Sequence, residues 1–263
     1  MLGAAVPASA ARTRVSFELY HSALAPYGSW HVSSHYGRVW IPRVEVIGWH
    51  PYAYGHWVYS DLGWTWVSAY EWGAIPYHYG TWALDSELGW AWVPGYVWAP
   101  AWVVFRSGPS YVGWAPVPPG FSLGAPFSFA DHGADHYVFV RESDFLARDV
   151  QHVAVPVERA RVVFEDTKLI ENNLRIENDV VVNRGVDVRR VEHMARAPAL
   201  RAPIERVPMV ALDPRVTRDE LRVDPSQIER GRVRAAGPQL KTRETRPPRP
   251  QHEEDRRSPR PRG

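Results

Sequence analysis

The chain of 263 residues contains no cysteine, which excludes both a disulfide framework and a cysteine-ligated zinc site. Long apolar runs are missing as well, and none approaches the ~18 residues that a membrane-spanning helix needs, so we expect no transmembrane span. Lysine occurs only as Lys168 and Lys241, and the net charge is +2. Because a nucleic-acid-binding protein concentrates basic residues on one face, this near-neutral balance predicts no nucleic-acid partner.

Charged residues are scarce in the first half of the chain and abundant in the second. Residues 11–120 hold five arginines and six acidic residues, whereas residues 121–263 hold 26 lysines or arginines and 23 acidic residues. All thirteen tryptophans fall within the first of these ranges. The contrast predicts an aromatic globular module at 11–120, a small α+β segment at 127–194 and a disordered Arg/Pro-rich tail at 195–263.

The first ten residues end in Ala8-Ser9-Ala10, a small-x-small pattern that is typical of a signal-peptidase site. The positively charged start and most of the apolar stretch of a signal peptide are missing. Residues 1–10 are therefore interpreted as the remnant of a signal peptide whose start lies upstream of Met1, with an ordinary Ala-rich terminus as the alternative. The remnant predicts an exported protein, in the periplasm or at the cell surface.

Two aromatic half-motifs recur along the module. The first, Tyr-Gly-x-Trp, occurs at residues 27–30, 54–57 and 79–82. The second, Gly-x-x-Trp, follows at 37–40, 63–66 and 89–92, with its glycines 26 residues apart both times. A further tryptophan closes each unit, at Trp49, Trp72 and Trp98, and a partial fourth copy stands at 113–116. This spacing predicts a tandem repeat.

Each unit is predicted to be a β-hairpin, because aromatic and β-branched residues favour strands and glycine with aspartate or serine favours the turn. In the second unit the chain turns at residues 60–63, which places Trp64 and Trp66 on one face of the return strand. Stacked hairpins would align two tryptophan rows, Trp40 with Trp66 and Trp92, and Trp30 with Trp57 and Trp82.

The expected fold class is therefore mainly β. Tandem ~26-residue Trp-rich hairpins would close as a small barrel, a sandwich or a short solenoid. The small mixed segment and the disordered charged tail would follow. Within the mixed segment, residues 161–170 and 174–183 are each predicted to form a strand, and residues 186–194 a short helix.

Most tryptophans are expected in the core, because burying a large aromatic side chain is worth at most about 4–6 kcal/mol. Two aromatic faces per hairpin exceed what one core can absorb, so one row is expected to stay partly exposed. Exposed rings suit stacking on a sugar or on a partner surface. The candidate ligand-binding rows are Tyr27, Tyr54 and Tyr79, and Trp40, Trp66 and Trp92.

Several phrases of the module match a known family pattern. "YGSW…GRVWIP", "YGHW…GWTWVS", "YGTW…GWAWVPGYVWAPAWV" and "YVGWAPVPP" resemble the Trp-rich module of DUF6600, a bacterial family of unknown function. The resemblance covers roughly residues 18–120 and extends more weakly to 136–146 and 181–192. It implies an exported envelope protein, of a group often labelled proline-rich or FecR-like. It implies no assigned catalysis, so no catalytic residue is carried over.

Residues 131–136, Asp-His-Gly-Ala-Asp-His, form the best metal candidate, through His132 and His136. Histidines four residues apart share a face only in a helix, which Gly133 disfavours, and a third ligand such as His152 would be needed. A polar loop is therefore the preferred interpretation, and no metal or other cofactor is predicted.

A glycan hydrolase needs two carboxylates about 5–10 Å apart in a cleft. Asp61 and Glu87 lie in equivalent hairpin turns, where turn formation explains them, and Glu45 and Glu71 lie in connections between units without a paired acid. No constellation of catalytic residues is predicted.

Three functional hypotheses follow. The first is a non-enzymatic, exported structural or interaction protein of the cell envelope, with envelope proteins among its partners. The second is a carbohydrate-binding module for peptidoglycan or another envelope polysaccharide, which would use exposed aromatic rings. The third is a glycan hydrolase with its acid in Glu45 or Glu71.

Overall fold

The computed structural model describes residues 18–123, 132–178, 180–202 and 233–234. The predicted signal-peptide remnant, Asp131 and the predicted tail beyond residue 202, apart from residues 233–234, lie outside the described residues. Strands dominate what is described, and helices are few and short. The expectation of a mainly β fold is confirmed.

The described elements are three helices and fourteen strands, joined by short 3₁₀ turns. The helices are α1 at 18–24, α2 at Val157–Glu165 and α3 at Val188–Ala195. The strands of the Trp-rich half are β1 Gly28–Ser33, β2 Gly37–Pro42, β3 Gly55–Ser60, β4 Gly63–Ser68, β5 Tyr79–Asp85, β6 Gly89–Trp98, β7 Val103–Ser107 and β8 Tyr111–Pro116. The later strands are β9 Ser122–Leu123, β10 Val138–Arg141, β11 Lys168–Leu169, β12 Leu174–Glu177, β13 Val180–Asn183 and β14 Val233–Arg234.

The strands form three four-stranded sheets and one two-stranded sheet. Their orders are β1-β2-β6-β5, β10-β8-β7-β11, β12-β13-β4-β3 and β14-β9. Every order is linear among the described strands, so no sheet closes on itself. The small-barrel alternative is therefore wrong for the described part of the chain.

Successive hairpins do not stack in chain order. The first and third hairpins pair with each other through β2 and β6, where Trp40 lies opposite Trp92. The second hairpin pairs instead with β13, where Gly63 lies opposite Asn183. A side chain at residue 63 would stand 1.9 Å from the Asn183 carbonyl oxygen, so glycine is what lets the two backbones approach.

The two predicted tryptophan rows are accordingly wrong. Trp57 and Trp66 lie opposite each other in the sheet of the second hairpin. The other four tryptophans form one cross-strand row through the first sheet, in the order Trp30, Trp40, Trp92 and Trp82. The predicted rows do not form because the second hairpin does not pair with the first or the third. It pairs with β13, more than a hundred residues further along the chain.

Local turns agree with the sequence prediction more closely. The second hairpin turns at residues 60–63, where Ser60 pairs with Gly63, as predicted. The first and third hairpins use three-residue loops closed by Gly37 and Gly89, both with positive φ, as such loops require. Strand β6 runs through Pro94, and its pairing with β5 is irregular there, which is the position in a sheet that proline tolerates.

Strands from both sides of the composition boundary share the same sheets. Strands β10 and β11 flank β7 and β8, and β12 and β13 extend the second hairpin. Buried Asn183 donates to the carbonyls of Ala101 and Val103, at 3.1 and 3.2 Å, and Asn173 donates to Val103 at 2.9 Å. The change of composition near residue 120 is therefore not a boundary between separately packed units.

The start of the predicted tail is also part of the fold. The backbone N–H of Tyr59 in β3 donates to Leu200 at 2.9 Å, and Ala202 donates back to Tyr59 at 3.3 Å. Arg201 lies over the Tyr59 ring at 4.9 Å and pairs with Glu192 of α3 at 2.7 Å. Residues 200–202 thus run beside β3 and cover its outer edge.

The segment 161–170, predicted as a strand, is helical in its first half and contains only the two-residue strand β11 in its second. Residues 161–165 belong to α2, whose Ala160 and Val163 are buried on one side. Arg106 donates to the carbonyls of Phe164 and Thr167 and stacks on the Phe164 ring at 3.8 Å, which stabilises the C-terminal end of α2. The segment 174–183 contains two short strands rather than one, turning at Asn178 with φ 50°. The predicted helix at 186–194 is confirmed as α3.

Side chains from all three large sheets meet in one core. Eleven of the thirteen tryptophans are buried, and only Trp30 and Trp90 are half-buried, so the expectation that most tryptophans are core is confirmed. The rings pack largely edge to face, as in the Trp57–Trp114 pair, whose centroids are 5.4 Å apart at 89°.

The glycine of the Tyr-Gly-x-Trp motif makes room for an indole. Trp66 of the return strand folds over Gly55, where a Cβ would stand 2.8 Å from the Trp66 ring and 2.2 Å from the Val67 carbonyl oxygen. In the first hairpin Trp40 lies over Gly28 in the same way, at 2.6 Å. In the first two hairpins the tyrosine–glycine step is therefore fixed by the tryptophan on the neighbouring strand, whereas Gly80 of the third hairpin packs against the backbone of residues 93–95.

We expect Gly55→Ala to destabilise the protein by roughly 3 kcal/mol, since it combines overpacking with a backbone angle that only glycine adopts readily. Gly89→Ala is the matched control. It also has positive φ but meets no atom within 4 Å, so about 1 kcal/mol is expected. Urea unfolding of the three proteins measures both values, and equal losses in the two variants would contradict the steric role of Gly55.

Candidate functional site, a tyrosine-lined cleft at Glu71

A cleft of about 250 Å³ lies beside the connection between β4 and β5. It is lined by residues 66–71, 73, 74 and 78. The connection is held tightly, because the Ser68 hydroxyl accepts a hydrogen bond from the Tyr70 N–H at 3.0 Å and a 3₁₀ turn follows at Glu71–Ala74. Gly73 packs so closely on Ser68 that a Cβ would stand 2.2 Å from its hydroxyl oxygen.

The Tyr70 ring lines the cleft and is held by neighbouring rings. Tyr70 is half-buried and stacks on Trp72, with ring centroids 4.6 Å apart and nearly parallel. Tyr54 also packs against Tyr70, with ring centroids 5.6 Å apart. The Trp49 indole N–H donates to the Tyr70 hydroxyl at 3.1 Å, so this ring is fixed in place before any ligand arrives.

Glu71 supplies the charge at the mouth of the cleft. Its side chain is exposed, and the Tyr27 hydroxyl donates to its Oε2 at 3.1 Å. This hydrogen bond to the carboxylate raises the pKa of Tyr27 above its ordinary value. Tyr27 therefore remains a hydrogen-bond donor at every physiological pH, and Glu71 keeps a free carboxylate oxygen for a hydroxyl donor.

His78 and Trp66 form the buried side of the cleft. The His78 ring lies parallel to Trp98 at 5.3 Å, and its Nδ1 is 2.9 Å from the Ala99 carbonyl oxygen. Burial lowers the pKa of His78 to about 4, so the ring is neutral and donates from Nδ1 to that carbonyl. Within the described residues the buried Trp66 indole nitrogen has no hydrogen-bond partner.

The predicted ligand-binding rows separate into two groups. Tyr27 and Tyr54 both reach the connection that carries Tyr70 and Glu71, whereas Tyr79 packs on Tyr20 at 5.7 Å, away from the cleft. All three predicted tyrosines are half-buried. Trp40, Trp66 and Trp92 are each 0 % exposed and belong to the core, and of the three only Trp66 lines the cleft, on its buried side.

Comparison with protein families gives one match for this part of the chain. Residues 21–121 match DUF6600, a family of unknown function. The resemblance inferred from the sequence is thus confirmed over the whole first sheet and over two strands of each of the other two large sheets. No curated protein and no solved structure matched the chain. The match carries no activity, and the exported character that the resemblance implied stays a prediction.

The DUF6600 region supplies every residue of the cleft, and it also contacts the predicted metal candidate. His132 and His136 stack at 4.7 Å, and both belong to a cluster around Trp90 that includes His50, 4.6 Å from that ring. Desolvation lowers the pKa of His50 to about 4. No set of three ligating side chains in the described residues is arranged to hold a metal ion.

The other predicted ligands do not complete a site. His152 is exposed and pairs with Asp149 at 2.9 Å, and Asp131 lies outside the described residues. His136 instead pairs with the neighbouring Asp135 at 3.0 Å. The cluster of His50, His132 and His136 is therefore best explained as packing around Trp90.

The acidic residues of the DUF6600 region are not paired at the cleft. Among the described residues that line it, Glu71 supplies the only carboxylate. Glu45 is exposed in the connection between β2 and β3, and Asp61 and Glu87 lie in the hairpin turns where the sequence places them. The two-carboxylate arrangement of a glycosidase has no counterpart among the residues that form this cleft.

A Gly-x-Ser-x-Gly pattern at residues 120–124 resembles the nucleophile motif of α/β-hydrolases. That motif requires an exposed serine on a turn between a strand and a helix. Ser122 lies instead within β9, is 8 % exposed and pairs across to β14. The structural context of a nucleophile is therefore missing at Ser122.

Tyr70 and His78 are the residues of the cleft that sequence reasoning did not single out. The signal for Tyr70 was present, since only the second repeat unit places a tyrosine and an acid directly before its closing tryptophan, in Tyr70-Glu71-Trp72.

No helix among the described residues is long and apolar enough to span a membrane.

Stability should fall in mild acid because His78 must be neutral in the folded protein. Its folded pKa of about 4 lies below the ordinary histidine value, so the unfolded chain binds more protons between the two. The protein is then most stable above about pH 6.5 and loses up to about 3 kcal/mol from this residue as the pH falls towards about 4.

His78→Gln keeps a donor for the Ala99 carbonyl and removes the titration. We expect it to reduce the dependence of the unfolding free energy on pH, measured by urea unfolding between about pH 7 and about pH 4. His193→Gln, at an exposed position on α3, controls for loss of a histidine elsewhere. A slope unchanged by His78→Gln would show that other groups cause the acid sensitivity.

Proposed function

We propose that this chain is a non-enzymatic, exported interaction protein of the cell envelope, built on a rigid Trp-rich scaffold. The observation that carries the proposal is the burial of eleven tryptophans, nine of them in one core shared by all three large sheets. Tryptophan is used here to fix structure, and the cleft holds a single carboxylate, so the geometry favours binding over catalysis. The signal-like pattern before residue 11 supports export.

The location is tested in the native cell. We expect the protein in the envelope fraction, with a mature N-terminus at Ala11, because a peptidase that recognises Ala8-Ser9-Ala10 cuts after Ala10. Cell fractionation with N-terminal sequencing of the recovered protein measures both. Ala8→Lys, which blocks the small-x-small pattern, is expected to leave the precursor uncleaved. Recovery of a cytoplasmic protein that retains residues 1–10 would contradict export.

A second candidate function is carbohydrate binding, and the cleft favours it. The half-buried Tyr70 ring and the exposed carboxylate of Glu71 line the cleft, Tyr27 contacts that carboxylate, and Tyr54 packs against Tyr70. Ring faces suit the apolar faces of sugars, and a carboxylate is a strong acceptor for sugar hydroxyls. Peptidoglycan fragments or another envelope polysaccharide are the ligands that this arrangement suits.

We expect Tyr27→Ala and Glu71→Ala each to weaken binding of soluble peptidoglycan fragments about tenfold or more, since each removes a direct contact and costs about 1.4 kcal/mol. Isothermal titration calorimetry measures the affinity. Tyr111→Ala and Glu87→Ala are matched controls, a half-buried tyrosine of β8 and an exposed acid in the β5–β6 turn. Near-ultraviolet circular dichroism verifies the fold of every variant.

Two results decide against this second function. If the cleft variants and the control variants bind peptidoglycan fragments with equal affinity, the glycan does not bind in the cleft. Release of glycan products by the wild-type protein, abolished in Glu45→Ala or Glu71→Ala, would instead support the hydrolase hypothesis and contradict a non-enzymatic role.

A further inference from the structure

We propose that the cleft beside the β4–β5 connection selects sugars that carry a free amino group, with the ammonium held between the Tyr70 ring and the Glu71 carboxylate. The inference rests on the carbohydrate binding proposed above and adds the charge of the ligand to it. Among the described residues that line the cleft, Glu71 is the only charged one, and neither lysine nor arginine occurs there. A ligand that brings a cation therefore supplies the charge that this lining lacks.

The carboxylate of Glu71 is not neutralised by the described part of the chain. A structural acid elsewhere in the fold is paired, as Glu142 is with Arg190 at 2.6 Å. Glu71 forms no ion pair with any described lysine or arginine. Its described partner is the Tyr27 hydroxyl, a neutral donor at 3.1 Å. The negative charge is thus available to a ligand.

The setting of Glu71 distinguishes it from other exposed acids. Glu45 and Glu87 are also exposed, but neither lines the cleft. Glu71 follows Tyr70, whose half-buried ring lines the cleft, and Tyr27 holds one of its two oxygens. An aromatic ring beside a fixed carboxylate suits an ammonium group, because the ring face attracts a cation and the carboxylate accepts its hydrogen bonds.

The Tyr70 ring is ordered in advance for such a contact. Trp49 donates to its hydroxyl at 3.1 Å and Trp72 stacks on the ring at 4.6 Å, so binding costs little further ordering. The cleft volume of about 250 Å³ lies below the roughly 300–1,000 Å³ of pockets for drug-sized ligands. This size suits a single sugar unit with its amino group.

The same electrostatics disfavour anionic sugars. On the buried side of the cleft, burial lowers the pKa of His78 to about 4, so this ring is neutral and supplies no cation for a uronate or a phosphate. An anionic ligand would face the Glu71 carboxylate without compensation from the described lining. The sign of the charge on the sugar is therefore what this cleft discriminates.

The test is isothermal titration calorimetry of the full chain at about pH 6, where a primary amine carries its proton. The probes are a tetramer of glucosamine and a tetramer of N-acetylglucosamine, which have the same length and differ in charge. We expect the glucosamine tetramer to bind about fivefold or more tightly, through one cation–π contact and one exposed ion pair. High salt should reduce this preference, because it screens exposed charges.

Glu71→Gln keeps an acceptor for Tyr27 and removes the charge, so the ratio of the two affinities should fall to about one. Glu87→Gln removes an exposed acid from the β5–β6 turn, outside the cleft, and is the matched control. It should keep the wild-type ratio. Near-ultraviolet circular dichroism verifies the fold of both variants.

The outcomes separate this inference from carbohydrate binding itself. Equal binding of the two tetramers, or a ratio that Glu71→Gln leaves unchanged, would overturn the selection of an ammonium group and leave carbohydrate binding in place. Failure of both tetramers to bind would overturn both proposals. Tighter binding of Nα-acetyl-lysine amide than of the glucosamine tetramer, lost in Glu71→Gln, would assign the ammonium to a peptide side chain and overturn the choice of an amino sugar.

Discussion

Seven of the eleven buried tryptophans donate their indole N–H to an acceptor elsewhere in the fold, and much of this architecture follows from where those acceptors are. Trp64 donates to Val186 at 2.8 Å, Trp114 to Tyr52 at 3.0 Å and Trp40 to Leu24 at 3.2 Å. These three acceptors are backbone carbonyls outside the sheets, whose unpaired groups would otherwise be costly to bury. Each such tryptophan therefore fills the core and fixes a connection at once. A large aliphatic side chain would fill the core but, without an N–H, could not fix the connection.

This dual role explains what could be predicted from the sequence and what could not. The hairpins, the turn at residues 60–63 and the burial of most tryptophans depend on residues close in sequence, and local pattern was sufficient. The sheet partner of the second hairpin depends on Asn183, more than a hundred residues away, and nothing near Gly63 indicates it. The valines and phenylalanine of residues 161–165 favour a strand, but the segment is helical because a helix buries Ala160 and Val163 together on one side of α2.

Only some residues of the cleft could be predicted from the sequence. Tyr27, Tyr54 and Glu71 were candidates separately, and only the folded connection at residues 69–74 brings them together.

The packing of an indole over a glycine also limits how the two positions can change over evolutionary time. Gly55 has no room for a side chain while Trp66 lies over it, and a smaller residue at Trp66 would leave a cavity above Gly55. The glycine is constrained more strongly than the tryptophan, because a Cβ at residue 55 would also stand 2.2 Å from the Val67 carbonyl oxygen and φ there is 149°. Among related sequences, the tryptophan should therefore vary more readily than the glycine beneath it.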